Sequence, residues 1–293
     1  MADLGKPSVW RFGYASNISL DNLRTKKQLA PTRHLVGRVR GWALTFDLPG
    51  IPHVDPAFAC VREDPSAVLH GAAFEVSAAE AEGLDRQEGG YDVAPVRFES
   101  YTGERFEGVG LYVPKPGRAR PGHGGLPSKR YLRLIQRGAR EAGLDPEHVA
   151  RLDALPHHLT APEVRAQSEA WIAEFEADPA RRDRRWTAEE LAAFDGSDPQ
   201  KPAHTSALGY VVRYESFFRS WRGHTITRRN LLHVRGQSVD GNDIRHGQPG
   251  FHPLPRVADC SEDEREFLRQ NLDHLLHGGG VIVGRLQDFL DAQ

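Results

Sequence analysis

The sequence predicts an α+β protein built in two parts, and three observations predict it. Short β-type runs separated by turn signals fill the first 115 residues. After a Pro- and Gly-rich stretch at 114–127 the hydrophobic period becomes helical. Beyond a charged, turn-rich segment at 178–202, strand-like runs begin again. A chain of 293 residues has room for one ordinary domain and a smaller second unit, and 39% hydrophobic residues suffice for a core.

In order along the chain, Val9–Tyr14 reads as a short strand. His34–Phe46 reads as a longer one, with Val36, Val39, Trp42, Leu44 and Phe46 as its apolar residues. Phe58–Val61 and Ala67–Val76 follow as two strands. Ser77–Gln87 is rich in Ala and Glu and suits a helix, with Ser77 and Glu80 forming a capping box. Tyr91–Tyr101 and Glu107–Val113 form a hairpin about Thr102-Gly103-Glu104. A helix over Ser128–Ala142 puts Tyr131, Leu132, Leu134, Ile135 and Ala139 on one face, between Ser128 as N-cap and Gly143 as C-cap. Asp145-Pro146 opens another helix, and Pro162–Ala177 is a third. In the second part, Thr187 and Glu190 cap a short helix, and Ala207–Tyr214 and Leu231–Val234 are strands. Ser261–His277, with a Ser261/Glu264 capping box, and Gly284–Ala292 are closing helices.

Composition narrows the function classes. The 38 Lys+Arg against 40 Asp+Glu give a net charge of −2, which argues against non-specific nucleic-acid binding. No run approaches the length of a membrane span, and the N-terminus lacks the basic-then-apolar pattern of a secretory signal. Cys60 and Cys260 are far apart and are too few for a disulfide framework, which fits a reducing cytoplasm. Cys60, within Ala57-Phe58-Ala59-Cys60-Val61, reads as a small buried hydrophobe.

Two N-terminal features bear on chemistry. Arg11-Phe12-Gly13-Tyr14-Ala15-Ser16-Asn17-Ile18 is a strand running into small and polar residues. Such a turn can offer backbone N–H groups as a nest for a carboxylate or oxyanion, or it can simply end a strand. Leu84-Asp85-Arg86-Gln87-Glu88-Gly89-Gly90-Tyr91 places a carboxylate at a helix end before two glycines and an aromatic. In a cleft that Glu could shuttle protons; on the surface it is an ordinary helix terminus.

Taken with Pro127-Ser128-Lys129-Arg130-Tyr131 and Gly138-Ala139-Arg140-Glu141-Ala142-Gly143-Leu144, these motifs resemble the γ-glutamyl cyclotransferase superfamily over about half the chain. The resemblance implies a small mixed β-barrel with flanking helices over residues 8–160. A helical, charged connection at 161–202 and a smaller C-terminal α/β unit at 203–293 would follow. It implies Glu88 as the catalytic acid/base, and Tyr14, Ala15, Ser16, Asn17, Ile18, Tyr91 and Tyr131 as substrate-binding residues. The α-amine of a γ-glutamyl group would attack its own γ-carbonyl and release 5-oxoproline and a free amine. Such a reaction needs no metal or cofactor. Phe12-Gly13-Tyr14 and Gly89-Gly90-Tyr91 resemble the ChaC-type members that act on glutathione. Ala15 stands where the family has Gly, so the turn would use φ < 0 there or rely on Gly13.

Other signals are weaker. Among the 14 histidines, His157-His158 and His274-x-x-His277 lack a zinc pattern. Gly278-Gly279-Gly280 before Val281–Gly284 lacks the spacing of a phosphate loop and reads as a turn into a small strand. The C-terminal unit is open to three roles: shaping the substrate entrance, a homodimer contact, or binding a partner. Its aromatic, basic stretch Tyr214–Arg229 serves equally as core. The substrate would be a γ-glutamyl-amino acid, glutathione or a γ-glutamyl-protected amine. The contrasting function is a non-catalytic small-metabolite-binding module on the same fold.

Overall fold

The N-terminal strands close on themselves. In a computed structural model, residues 8–25, 27, 29–122, 125–194, 200–214 and 256–293 are described. The chain divides into two compact units, Met1–His158 and Leu159–Gln293. The stretch 161–202 falls within the second.

The first unit holds β1 (Ser8–Gly13), β2 (Arg33–Ile51), β3 (Asp55–Ser77), β4 (Tyr91–Ser100) and β5 (Arg105–Pro114). They form a closed barrel in the order β1-β3-β2-β4-β5. Every pairing is antiparallel except the closing seam, where β1 runs parallel to β5 with Arg11 opposite Gly110. Around it lie α1 (Leu20–Thr25), α2 (Ala78–Gln87), α3 (Lys129–Ala142) and α4 (Pro146–Asp153). Phe12, Phe74, Phe98, Leu69 and Leu111 fill the interior and are fully or almost fully buried. The barrel is the architecture expected for this half of the chain.

The expected caps are present. Ser77 and Glu80 close a reciprocal capping box on α2. The Ser128 hydroxyl accepts from Tyr131 N–H at the start of α3, which ends at Gly143 with φ of 72°. One expectation fails: Phe58–Val61 and Ala67–Val76 belong to a single strand, β3. Between them the ladder to β2 skips from Glu63 to Val68, opposite Gly41 with φ of 85°. Pro65 brings no N–H to that gap, so the break expected from the sequence appears as a bulge within one strand.

Helix α4 docks through two stacked imidazoles, His70 on β3 and His148, with ring centroids 4.8 Å apart. The Tyr101 hydroxyl accepts from Asp145 N–H at 3.1 Å and is hydrogen-bonded to His70 Nδ1 at 2.7 Å. Burial pushes both imidazoles below the usual value, His148 to about 4. A depressed histidine contributes stability above its unfolded value near 6.5, lost as the pH falls toward its folded value. Going from pH 7 to pH 5 is therefore expected to cost about 2 kcal/mol through His148. Urea unfolding at the two pH values measures it, and His148→Gln should flatten the difference.

The second unit is a four-stranded sheet in the order β6-β9-β8-β7, built from β6 (Arg185–Trp186), β7 (Ala203–Ala207), β8 (Tyr210–Tyr214) and β9 (Val281–Leu286). Its helices are α5 (Pro162–Glu176), α6 (Pro179–Arg182), α7 (Ala188–Ala192), α8 (Glu262–His277) and α9 (Gln287–Ala292). Adjacent residues of β8 serve opposite faces. Val212 joins Phe175, Leu272 and Leu275, whereas Val211 joins Trp186, Leu191 and Phe289. The C-terminal part is an α/β unit, but it begins at Leu159 and includes the 161–202 stretch that was expected to be a connection ahead of a unit at 203–293.

Two boundaries differ from expectation. Ala207–Tyr214 is a hairpin, because Leu208 and Gly209 have φ of 51° and 71° and form a two-residue turn. Residues 284–286 lie in β9, so the last helix starts at Gln287. The Leu231–Val234 strand, the Tyr214–Arg229 stretch beyond Tyr214 and the Glu264 side chain lie outside the described residues.

Candidate active site

The end of β1 and the end of α2 meet at one opening of the barrel. Phe12, Gly13, Tyr14, Ala15, Ser16, Asn17, Ala59, Glu88, Tyr91, Tyr112 and Tyr131 line a cavity there. It holds about 360 Å³ of empty space, open to solvent.

The turn after β1 is a single 3-10 turn over Ser16–Ile18. Gly13 makes it compact: a Cβ there would lie 2.3 Å from the Asn17 carbonyl oxygen. Ala15 has φ of −133° and ψ of −123°, so it does not adopt the left-handed region. The carbonyls of this turn are held from the protein side. Ile18 N–H bonds to Ala15 O at 3.1 Å, Asn22 Nδ2 to Ser16 O at 2.8 Å, and His34 Nε2 to Ile18 O at 3.0 Å. The N–H groups of Ser16 and Asn17 come first in the turn, ahead of any helical acceptor.

Glu88 caps the last turn of α2 through its N–H to Leu84 O at 2.9 Å. Its Oε1 accepts from Asn17 Nδ2 at 3.0 Å and from Lys27 Nζ at 2.8 Å. The carboxylate therefore faces the turn that precedes it by 71 positions. Gly89 and Gly90 do not have positive φ, and a Cβ at Gly90 would meet open space, so this bend does not itself demand glycine.

Four tyrosines build the wall. Tyr14 O–H donates to Tyr112 O at 2.9 Å, and Tyr112 O–H to Asp85 Oδ1 at 2.7 Å. Tyr91 O–H donates to Ala59 O at 2.8 Å. Ala59 N–H donates to Tyr131 Oη at 3.3 Å, which leaves the Tyr131 proton available for a ligand. Burial pushes all four phenols up, so they are neutral donors near neutral pH. Behind Tyr112, Arg11 forks onto Asp85 at 3.0 and 2.7 Å. Burial works against the Asp85 charge, yet the bonds from Arg11 and Tyr112 hold its carboxyl below the usual range.

Glu88, Tyr14, Ala15, Ser16, Asn17, Tyr91 and Tyr131 are thus brought together on one cavity. Ile18 is not part of its lining: the side chain is fully buried and its N–H is already taken by Ala15. Sequence reasoning missed Lys27, Tyr112 and the Arg11–Asp85 pair. Asp85 could have been suspected, one helical turn before Glu88; nothing local marks Lys27. Cys60 is buried as expected, with Sγ 3.1 Å from Thr45 Oγ1 and burial pushing the thiol up.

No family model matches the chain. A curated relative, the gamma-glutamyl cyclotransferase aclK of Aspergillus oryzae, is 27% identical over 172 residues, covering 49% of this chain and 60% of its own length. The chain thus spans less than two thirds of that relative's length. A solved gamma-glutamyl cyclotransferase is 21% identical, with 55% of this chain and 98% of that one covered and a TM-score of 0.45. A yeast gamma-glutamyl cyclotransferase specific to glutathione is 13% identical, with coverages of 50% and 94% and a TM-score of 0.39. The N-terminal half of the chain is similar to the γ-glutamyl cyclotransferase superfamily.

Proposed function

From that similarity of its N-terminal half, we propose that the protein is a γ-glutamyl cyclotransferase whose acid/base is Glu88. The observation that carries the reading is the Glu88 carboxylate on the same cavity as the Tyr14–Asn17 turn, bonded to Asn17 at 3.0 Å. A γ-glutamyl group brings its own nucleophile, an α-amine that reaches the γ-carbonyl by closing a five-membered ring. The site has only to hold the folded conformer, move a proton and receive an oxyanion.

Glu88 takes a proton from the α-ammonium, and the freed amine attacks the γ-carbonyl to form the ring C–N bond. The N–H groups of Ser16 and Asn17 and the Tyr131 hydroxyl receive the carboxylate and the developing oxyanion. As the amide C–N bond breaks, the proton on Glu88 passes to the leaving nitrogen, and the extra proton left on the ring nitrogen follows through the same carboxylate, giving 5-oxoproline and a free, protonated amine.

The test is 5-oxoproline release from a panel of γ-glutamyl-amino acids, glutathione and γ-glutamyl-protected amines. Turnover of at least one class is the expected result. The absence of product from every class would end this reading.

A further inference from the structure

Glu88 keeps company with a cation that no motif announces. Lys27 follows α1, 61 positions before Glu88, and its ammonium lies 2.8 Å from Oε1 with the side chain only 9% exposed. Lys27 does not line the cavity. A group set behind the carboxylate reaches a bound molecule only through that carboxylate.

Resting on the reading of Glu88 given above, we propose that Lys27 is a positioning residue that fixes the Glu88 carboxylate against Asn17 and keeps it ionised. Several of the described groups around Glu88 are neutral. Tyr14 after β1, Tyr91 from β4, Tyr112 from β5 and Tyr131 from α3 all feel the Glu88 charge, and all are neutral because burial raises their phenols. Cys60 from β3, beside Tyr14 and Tyr91, is a neutral thiol for the same reason. On α2 itself, Asp85 is compensated by the fork from Arg11. Asn17 supplies a neutral donor to the same oxygen. Desolvation raises a carboxylate's affinity for a proton, and a protonated Glu88 cannot start the reaction. An adjacent ammonium counters that tendency. It also makes the proton, once taken from the substrate, easier to pass on to the leaving amine.

The sign follows directly. Removing the Lys27 charge raises the proton affinity of Glu88, so the base form is lost at a higher pH. The experiment is a carbon-13 NMR titration of the Glu88 carboxyl in the full-length protein, assigned by its disappearance in Glu88→Gln, with the pH profile of kcat/KM alongside. In Lys27→Met the midpoint is expected to rise by about one pH unit or more, with the acid limb of kcat/KM following it. Lys27→Arg should restore both. If Lys27→Met does not fold, Lys27→Gln takes its place. An unchanged midpoint with a uniform fall in rate overturns the proposal and leaves Lys27 a structural peg. If wild-type protein turns over none of the panel, the functional reading fails, while the NMR midpoint still decides the role of Lys27.

Discussion

Glu88→Gln is expected to lower 5-oxoproline formation by about 10³-fold, with kcat and kcat/KM falling together. Glutamine keeps the length and one acceptor oxygen, so Asn17 Nδ2 and Lys27 Nζ can still bond to it at the positions seen for Glu88. It cannot carry a proton from one nitrogen to another. A single group that serves as base and then acid is lost in both steps at once, which puts the effect on turnover and leaves binding largely intact. Glu88→Asp separates chemistry from placement. It retains the carboxylate but draws it back by one methylene, and a misplacement on the order of 1 Å can cost about 100-fold. The measurement is single-turnover product formation, with thermal unfolding as the control for folding. Wild-type turnover in Glu88→Gln would remove Glu88 from the chemistry.

The parts of this molecule written in local residues were legible in its sequence. The Ser77/Glu80 capping box, the Ser128 and Gly143 caps and the β4–β5 hairpin depend on neighbours within a few positions, and each stands where it was expected. Elements set by distant packing were not. Nothing near Ala207 shows that Leu208 and Gly209 turn the chain, since Leu rarely takes a positive φ. The same division runs through the candidate site. Residues within motifs, from Tyr14 to Asn17 and from Glu88 to Tyr91, could be picked out by chemical type and order. Lys27 could not, because its meaning lies in a contact 61 positions away. Ile18 illustrates the opposite error. Its place in the motif suggested a ligand contact, whereas its apolar side chain went to the core.

Asp85→Ala is expected to lower the free energy of unfolding by about 3 kcal/mol. Asp85 joins three elements at once: α2, which carries it, β1 through the two Arg11 bonds, and β5 through the Tyr112 hydroxyl. Truncation leaves Arg11, its side chain only 14% exposed, without its bidentate partner, and leaves Tyr112 without its acceptor. Losses for breaking such pairs run to about 5 kcal/mol; the 31% exposure of Asp85 places this one at the low end, because water can reach the gap. Because the folded carboxyl sits below the usual range, its contribution is present above the unfolded value near pH 4 and fades as the pH falls through the folded one. Urea unfolding at pH 7 measures the loss, and Arg11→Met combined with Asp85→Ala should cost less than the two changes added together. Turnover should also fall, since Asp85 is one helical turn from Glu88 and Tyr112 anchors Tyr14 on the opposite wall. Stability within about 0.5 kcal/mol of wild type would show instead that water replaces Asp85 at Arg11 without loss. The barrel seam, and with it the distance from Glu88 to the Tyr14–Asn17 turn, would then be held by core packing alone.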